Sequence, residues 1–533
     1  MGYIFEQTVG NHRYVFEGQS YRDANGKPRN KRIAIGKVDL KTGQREYKQE
    51  YLERMKSAGA PVLQSPFAKQ FSADDVRQSR IKEYGLFYLL NEIAARSGLT
   101  DSLRGAMPNL WKEIFTLACH LVSTGDPFMH CSDWINDTET LAVKNMSSQQ
   151  ISEITASITV GMRDDFYSRW CARRAEEEYL ALDITSTSSY SEFIDDVEWG
   201  YNRDGENLPQ VNICMLMGEK SRLPIYQVVY AGSLKDVSTL NSTLALFNKI
   251  TGGRPVLAVM DKGFYSKRNV DAMLLSESKM KFVIAVSFTS NFAKKQIEDE
   301  RKNIDTICNA VVVCGDSMRI ISKVMPWSKQ NSVFTHIFYT PGKAFRKRED
   351  LFTHVALLRD EATVSPEKCL ASEEHQKYLT IQKSDVTAST NGGYNVSIRE
   401  DVVNAGLGTA GWLILISNDV DDAKKALQIY RAKDVVEKGF WRLKCDLDLG
   451  RLRVHGQERM QNKVFIGFVA LVLLSAIHVV MSDKKLYEKM TMKQLLRRLS
   501  KHRVQEIGDE RIVFPTTKAQ KEIYETFGLD VPM

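Results

Sequence analysis

The chain has 533 residues, 43% hydrophobic and 26% charged, enough apolar content for ordinary packed cores and long enough for about three or four domains. A net charge of +7 suits a polyanionic partner without requiring one. Eight scattered cysteines with no C-x-x-C pair argue against a disulfide-stapled secreted domain and for a reduced, intracellular protein.

The N-terminal stretch "MGYIFEQTVGNHRYVFE" lacks the basic start, apolar run and small-residue cleavage site of a secretory signal, so the expected location is the cytoplasm. Residues 1–75 read as a β-rich, basic module. Asn25-Gly26 is a two-residue hairpin signal between Tyr/Val/Phe-rich and Ile-rich runs. Lys27, Arg29, Lys31 and Arg32 cluster on the return arm, where they either meet DNA phosphates or form a solvated hairpin tip.

Residues 76–178 turn helical in spacing, as in "YGLFYLLNEIAARSGL", and are a second region that could bind DNA. Cys119, His120, His130 and Cys131 lie here. Neighbours on a helix point about 100° apart, so Cys119 and His120 do not converge on one ion, and core packing is the better reading.

In residues 179–287 the strands "EYLALDITS", "QVNICMLMG" and "LPIYQVVYAG" form a meander whose last two strands make a hairpin. A helix, the strand "RPVLAVMD", a helix from about Ser266 and the strand "KFVIAVSF" follow, which gives the first part of an α/β core with a mixed sheet. Two apolar runs in this core stop on a carboxylate, at Asp183 and at Asp261. Residues 288–411, with "AVVVCGD", "HIFYT", "HVALL" and "YLTIQ", read as a mostly β insertion. "GLGTAG" at 406–411 precedes a strand, so the helix N-terminus a dinucleotide would need is missing and no cofactor site is assigned there.

The core resumes in residues 412–482 with the strand "GWLILISND" and a long helix from about 420. On that helix Tyr430, Lys433, Glu437 and Lys444 fall within about 60° of one another. "VFIGFVALVLLSAIHVVM" at 464–481 is nearly long enough to cross a bilayer, but it stands alone between polar helical stretches and reads as a helix buried all round. Residues 483–533 form a helical tail in which "TMKQLLRRLSKHR" is basic.

Asp183, Asp261 and Glu437, converging at one edge of the sheet, make an oxygen-only site of the kind hard divalent cations prefer. Two Mg²⁺ ions about 4 Å apart serve in-line displacement at phosphorus, with Mn²⁺ as the alternative ion. Tyr430, Lys433 and Lys444 would hold the phosphate backbone beside them.

These motifs resemble those of bacterial DDE transposases with a ribonuclease H-like core, in particular the insertion-sequence-four group. Its signature of Tyr, two residues, Arg, three residues, Glu, six residues, Lys is reproduced by Tyr430, Lys433, Glu437 and Lys444, with lysine in the arginine position. That lysine keeps the charge but loses the bidentate fork. "ALDITSTS" and "VMDKGFYSKRN" are similar to the first two acidic motifs, and "YAGSLKDVSTL" to the stretch after the third strand, with Ser233 in place of an asparagine. The resemblance covers about residues 176–480.

The resemblance implies cut-and-paste transposition. Asp183, Asp261 and Glu437 would be the catalytic acids and metal ligands, acting on double-stranded DNA with terminal inverted repeats and on target DNA. A homodimer in a synaptic complex, associated with the nucleoid, is implied as well. Some relatives use a tryptophan in the insertion to contact a base. Trp327 is the residue available for that here, and a hydrophobic contact is its other reading. Two alternatives remain: a nuclease of the same fold that hydrolyses without joining, and a non-catalytic DNA-binding protein.

Overall fold

Alternating Tyr, Val and Phe at the N-terminus give four antiparallel strands, Tyr3–Val9, His12–Arg22, Pro28–Val38 and Arg45–Tyr47. In this computed structural model residues 3–10, 12–24, 26–40, 43–58, 73–142, 146–173, 178–253, 256–275, 280–313, 315–383, 393–508 and 510–532 are described. They fall into two compact units, Met1–Glu83 with His502–Thr516 and Pro532–Met533, and Tyr84–Lys501 with Thr517–Val531.

In the first unit the sheet and the helix Gln49–Ser57 bury Val15, Ile35, Val38 and Tyr51. The two long strands pair out to Arg22 opposite Pro28, so the connection is 23–27 rather than a two-residue turn. Lys27 donates its backbone N–H to Asp23 Oδ1 at 3.0 Å, and Gly26 takes φ +75°, which a side chain would resist. Asn25 itself lies outside the described residues. A second, three-stranded sheet joins Arg80–Glu83 to Arg503–Ile507 and Glu510–Val513 from the far end of the chain.

The second unit opens with helices Gly85–Ser97, Leu99–Ala106, Trp111–Thr124, Cys131–Asp137, Ser148–Ser157 and Val160–Arg173. Cys119, His120 and Cys131 are buried in their packing, as the helical spacing predicts. Beyond them the chain is a mixed α/β protein built on a ten-stranded sheet. Its strands are β1 (Leu180–Ser189), β2 (Gln210–Gly218), β3 (Pro224–Ala231), β4 (Leu257–Met260), β5 (Lys281–Ala285), β6 (Ala310–Val313), β7 (Asp316–Pro326), β8 (Ser332–Tyr339), β9 (Trp412–Ser417) and β10 (Arg451–Leu452). The order is β6-β7-β8-β9-β5-β4-β1-β2-β3, with β10 beside the far end of β1. β1, β2 and β3 are antiparallel, while β4 and β5 run parallel to β1. Every residue of β2 is buried, the mark of a strand covered on both faces.

Helices α1 (Asp236–Ile250) and α2 (Lys267–Leu275) connect the early strands, and α3 (Pro341–Val364), α4 (Ala423–Ala432), α5 (Asp434–Trp441) and α6 (Gln457–Asp483) follow. α6 is buried without a break from 462 to 475, so the apolar stretch is a core helix, and Gln227 of β3 donates to the Val464 carbonyl at 2.9 Å. Gly467 lets it approach closely, because a Cβ there would stand 2.2 Å from Leu449 Cδ1.

Two further expectations are corrected. Residues 288–411 are not mostly β. β6, β7 and β8 extend the central sheet, and most of the remainder is helical, with α3, Asn291–Glu300, Pro366–Cys369, Glu373–Tyr378 and Glu400–Gly408. "HVALL" lies inside α3. There Leu351, Val355, Leu358 and Ala362 recur at helical intervals and pack on a small satellite core, a period the short window around Val355 conceals. The long helix from about 420 is likewise divided. Lys433 joins α4 to α5, and a π-helical turn, Arg442–Asp446, widens the end of α5.

Candidate functional site

Asp183 is not at the end of its own strand. It is the fourth residue of β1, which continues through the hydroxyl run to Ser189. The hydroxyls are accommodated because the loop between β1 and β2 folds over them: Asn202 donates to Ser188 Oγ at 3.1 Å and the Arg203 guanidinium to Ser186 Oγ at 3.4 Å. What ends here is the partner strand. Leu182 pairs with Met260 in parallel register, so the next residues, Asp183 and Asp261, stand side by side on strands about 4.8 Å apart. Asp261 leaves β4 as the cap of a short turn, accepting from the Lys262 backbone N–H at 2.8 Å.

Burial pushes the Asp183 carboxyl up to about 6, against the pull of the Lys433 ammonium and the Ile184 N–H, with Asp261 adding to the rise. Tyr430 on α4 donates its hydroxyl to Asp261 Oδ1 at 2.8 Å. Burial and the Asp261 charge hold that phenol far above its ordinary range, so it stays a donor. Lys433 is buried, and its Nζ donates to Glu437 Oε1 at 2.8 Å. Burial would lower this ammonium, but the Glu437 hydrogen bond and the charges of Asp183 and Asp261 outweigh it and raise the pKa.

The structure therefore brings Asp183, Asp261, Tyr430, Lys433 and Glu437 together. The two aspartates are neighbours through the sheet, and Glu437, exposed on α5, reaches them through Lys433. The ligand oxygens of the three acids are not all within 4.8 Å of one another. Lys444 does not join them. The π-helical turn carries it off the expected face, and its Nζ donates to Asp204 Oδ2 at 2.6 Å. Of the other acids in this loop, Glu206 is partnered by Arg451, Asp196 by Gln457 and Glu198 by Ser233.

Trp327 donates its indole N–H to Asp271 Oδ1 at 2.7 Å and its ring meets Phe292 at 5.6 Å, a packing contact. It also lines a cavity of about 740 Å³ together with Lys262, the neighbour of Asp261. In the N-terminal unit Arg29 pairs with Asp23 at 2.9 Å, and Arg32 donates to Gln7 at 2.7 Å while standing over Phe16. Lys27 and Lys31 are exposed. Strand alternation puts Arg29 and Lys31 on one face and Arg32 on the other.

Sequence reasoning missed a second group of cations. Lys343, Arg346 and Lys347 line a cleft of about 580 Å³ that also includes Tyr430, Arg431 and the acid Asp350. Their i, i+3, i+4 spacing in "GKAFRKRED" was available as a signal, but only a helical α3 turns it into one face.

The donor set, three carboxylates with two half-buried and no sulfur or imidazole among them, fits hard divalent cations. The transposase DDE domain family matches residues 174–473, which is more than half of the chain. A solved structure of piggyBac transposase in a synaptic complex with hairpin DNA is similar at 12% identity over 78% of each chain, with a TM-score of 0.36. No curated protein sequence matches. The chain belongs to the transposase DDE domain family.

Proposed function

We propose that this transposase carries out cut-and-paste transposition, cleaving DNA at the ends of its element and joining the freed ends to target DNA. The observation that carries the reading is the parallel register that sets Asp183 beside Asp261, with Glu437 linked to both through Lys433. The order β3-β2-β1-β4-β5 supports a ribonuclease H-like core, and the spacing of Tyr430, Lys433, Glu437 and Lys444 supports the insertion-sequence-four group. Asp183, Asp261 and Glu437 would hold two Mg²⁺ ions, with Mn²⁺ able to substitute. Bound there, the metal supplies activation of the attacking oxygen and stabilisation of the leaving one.

The protein's own groups set the stage. β1 and β4 fix two ligands on a rigid sheet, and the Tyr430 hydroxyl orients Asp261 by holding one of its oxygens. Lys433 offsets the mutual repulsion of the acids. Lys343, Arg346 and Lys347 offer an electropositive path for the DNA backbone up to Tyr430, while Lys27, Arg29, Lys31 and Arg32 offer another contact in the N-terminal unit. The DNA partners in this reading are terminal inverted repeats and a target duplex, held by a homodimer.

The test uses DNA from the flanks of the protein's own gene, with and without Mg²⁺, comparing wild type and Glu437→Ala on a denaturing gel. Metal-dependent cuts at a repeated terminal sequence, lost in the variant, support the reading. Unchanged cleavage by Glu437→Ala removes Glu437 from the site. Transfer of a pre-cleaved end into a plasmid separates a transposase from a nuclease that only hydrolyses.

A further inference from the structure

The segment carried by α3 is held together by little apolar surface. Among the described residues its satellite core has six buried hydrophobic side chains, Val355, Leu358, Ala362, Cys369, Leu379 and Val403. A cluster this small gains much from a cross-link or a metal. Three side chains of different chemistry meet at its edge: Glu361 near the end of α3, Cys369 ending the short helix Pro366–Cys369, and His375 in the helix Glu373–Tyr378. One ligand atom from each lies within 4.8 Å of the others.

His375 points to a ligand independently. It is only 6% exposed, and its Nε2 is buried with no hydrogen-bond partner. The nearest carboxylate oxygen, Glu361 Oε2, is 3.5 Å away, too long for a good hydrogen bond. That separation matches another geometry: two ligands each about 2.0–2.1 Å from a tetrahedral ion stand about 3.3–3.4 Å apart. The other ring nitrogen is fixed, with Nδ1 at 2.9 Å from Ser372 Oγ. With Nδ1–H as donor to that hydroxyl, the Nε2 lone pair is left free. A hydrogen-bond acceptor behind the ring, most often a carboxylate, backbone carbonyl or water, is how a metal-binding histidine is oriented, and the Ser372 hydroxyl takes that place here.

We propose that Glu361, Cys369 and His375 bind one transition-metal ion of the Zn²⁺ class, which staples α3 to the two short helices after it. Thiolate, imidazole and carboxylate together select a borderline-soft ion, whereas the Asp183 site presents oxygen alone. Exposed Glu361 leaves one side open, so solvent completes the tetrahedron. Binding replaces the Cys369 thiol proton with the metal and releases that proton to water. The site is separate from strand cleavage and stands whether or not the chain moves DNA.

The experiment uses the full chain with Asp183→Ala and Glu437→Ala to silence the oxygen site, and Cys308→Ser and Cys445→Ser to remove the two thiols that are exposed among the described residues. Co²⁺ is titrated into the metal-free protein and then displaced with Zn²⁺. The expected result is a thiolate-to-cobalt charge-transfer band that saturates at about one equivalent and is bleached by Zn²⁺. Cys369→Ser abolishes the band, and Ser372→Ala, which keeps all three ligands, weakens Zn²⁺ binding about 10- to 100-fold. Absence of the band in protein with an intact melting transition, or a band unchanged by Cys369→Ser, overturns the proposal.

Discussion

The carboxylate site and the Glu361–Cys369–His375 cluster are built on opposite supports. Asp183 projects from β1 and Asp261 from the end of β4, adjacent strands of a ten-stranded sheet in which β2 is wholly buried, and α6 packs behind β3. Glu361, Cys369 and His375 come from three consecutive helices around six buried hydrophobic side chains. The sheet fixes its acids before any metal arrives, so metal there serves chemistry. The satellite has too little core to fix its ligands, so metal there serves the fold. Substitutions at the two places should therefore fail in different ways.

The largest effect separates them at once. Asp183→Ala, Asp261→Ala and Glu437→Ala should each lower metal-dependent cleavage by about a thousandfold or more, and in Asp183→Ala, which removes a carboxylate that burial disfavours, the melting temperature should hold or rise. Cys369→Ser should leave cleavage within about threefold, yet raise amide exchange across 341–383 and 393–408 in zinc-loaded protein. A fall in melting temperature on removing Asp183, with cleavage retained, would erase the contrast.

Lys433 sharpens the first half of it. Its buried ammonium stands where divalent charge is needed. Lys433→Met should lower the Mg²⁺ concentration for half-maximal cleavage, because cation and metal compete for the same carboxylates. If Lys433 also holds the phosphate, as the resemblance implies, the maximal rate should fall about 10- to 100-fold. Lys433→Arg should keep the rate better than Lys433→Met. A Mg²⁺ requirement that rises in Lys433→Met would mean the ammonium assists metal binding instead.

The two supports also differ in how well they can be read from sequence. Strands β1 to β5 carry long apolar runs, and Asp183 and Asp261 stand out against them, so the sheet and both acids were legible. Their adjacency was less so, because it depends on Leu182 meeting Met260, a register that no local pattern encodes. Spacing aligned Tyr430, Lys433 and Glu437 correctly. It misplaced Lys444, because a regular helical wheel has no means of anticipating the π-helical turn at Arg442–Asp446. In α3 the apolar stripe is one residue per turn and interrupted by charge, so "HVALL" looked like a strand. With α3 misread, neither the cationic face of Lys343, Arg346 and Lys347 nor the meeting of Glu361 with Cys369 and His375 was visible.

A smaller test probes the floor under the sheet. Lys463 on α6 is 5% exposed, and burial, with the Arg453 charge adding to it, lowers its pKa to about 8. Lys463→Met should stabilise the protein by about 1–3 kcal/mol near pH 7 in denaturant unfolding. The folded pKa lies below the unfolded value of about 10.4, so the unfolded chain binds more protons between them. Wild-type stability should rise from pH 8 toward pH 10 and be lost as pH falls through 8, and the variant should lack that rise. Equal pH profiles would mean Lys463 reaches water.

The smallest expected effect comes from Tyr430→Phe, and it separates orientation from binding. The phenol is held protonated, so its hydroxyl donates to Asp261 Oδ1 and cannot serve as a base. Without it Asp261 keeps the Lys262 backbone N–H on the same oxygen and its place on the strand end. One neutral donor to a charged acceptor is worth about 1.5–3 kcal/mol when fully desolvated, and the neighbouring N–H and the exposed side of Asp261 reduce that here. Cleavage should fall about 3- to 10-fold in kcat with KM for DNA unchanged, because the hydroxyl is spent on the carboxylate. If KM rises with kcat intact, Tyr430 acts on the DNA through the cleft it shares with Arg346 and Lys347, and Asp261 is oriented by its strand alone.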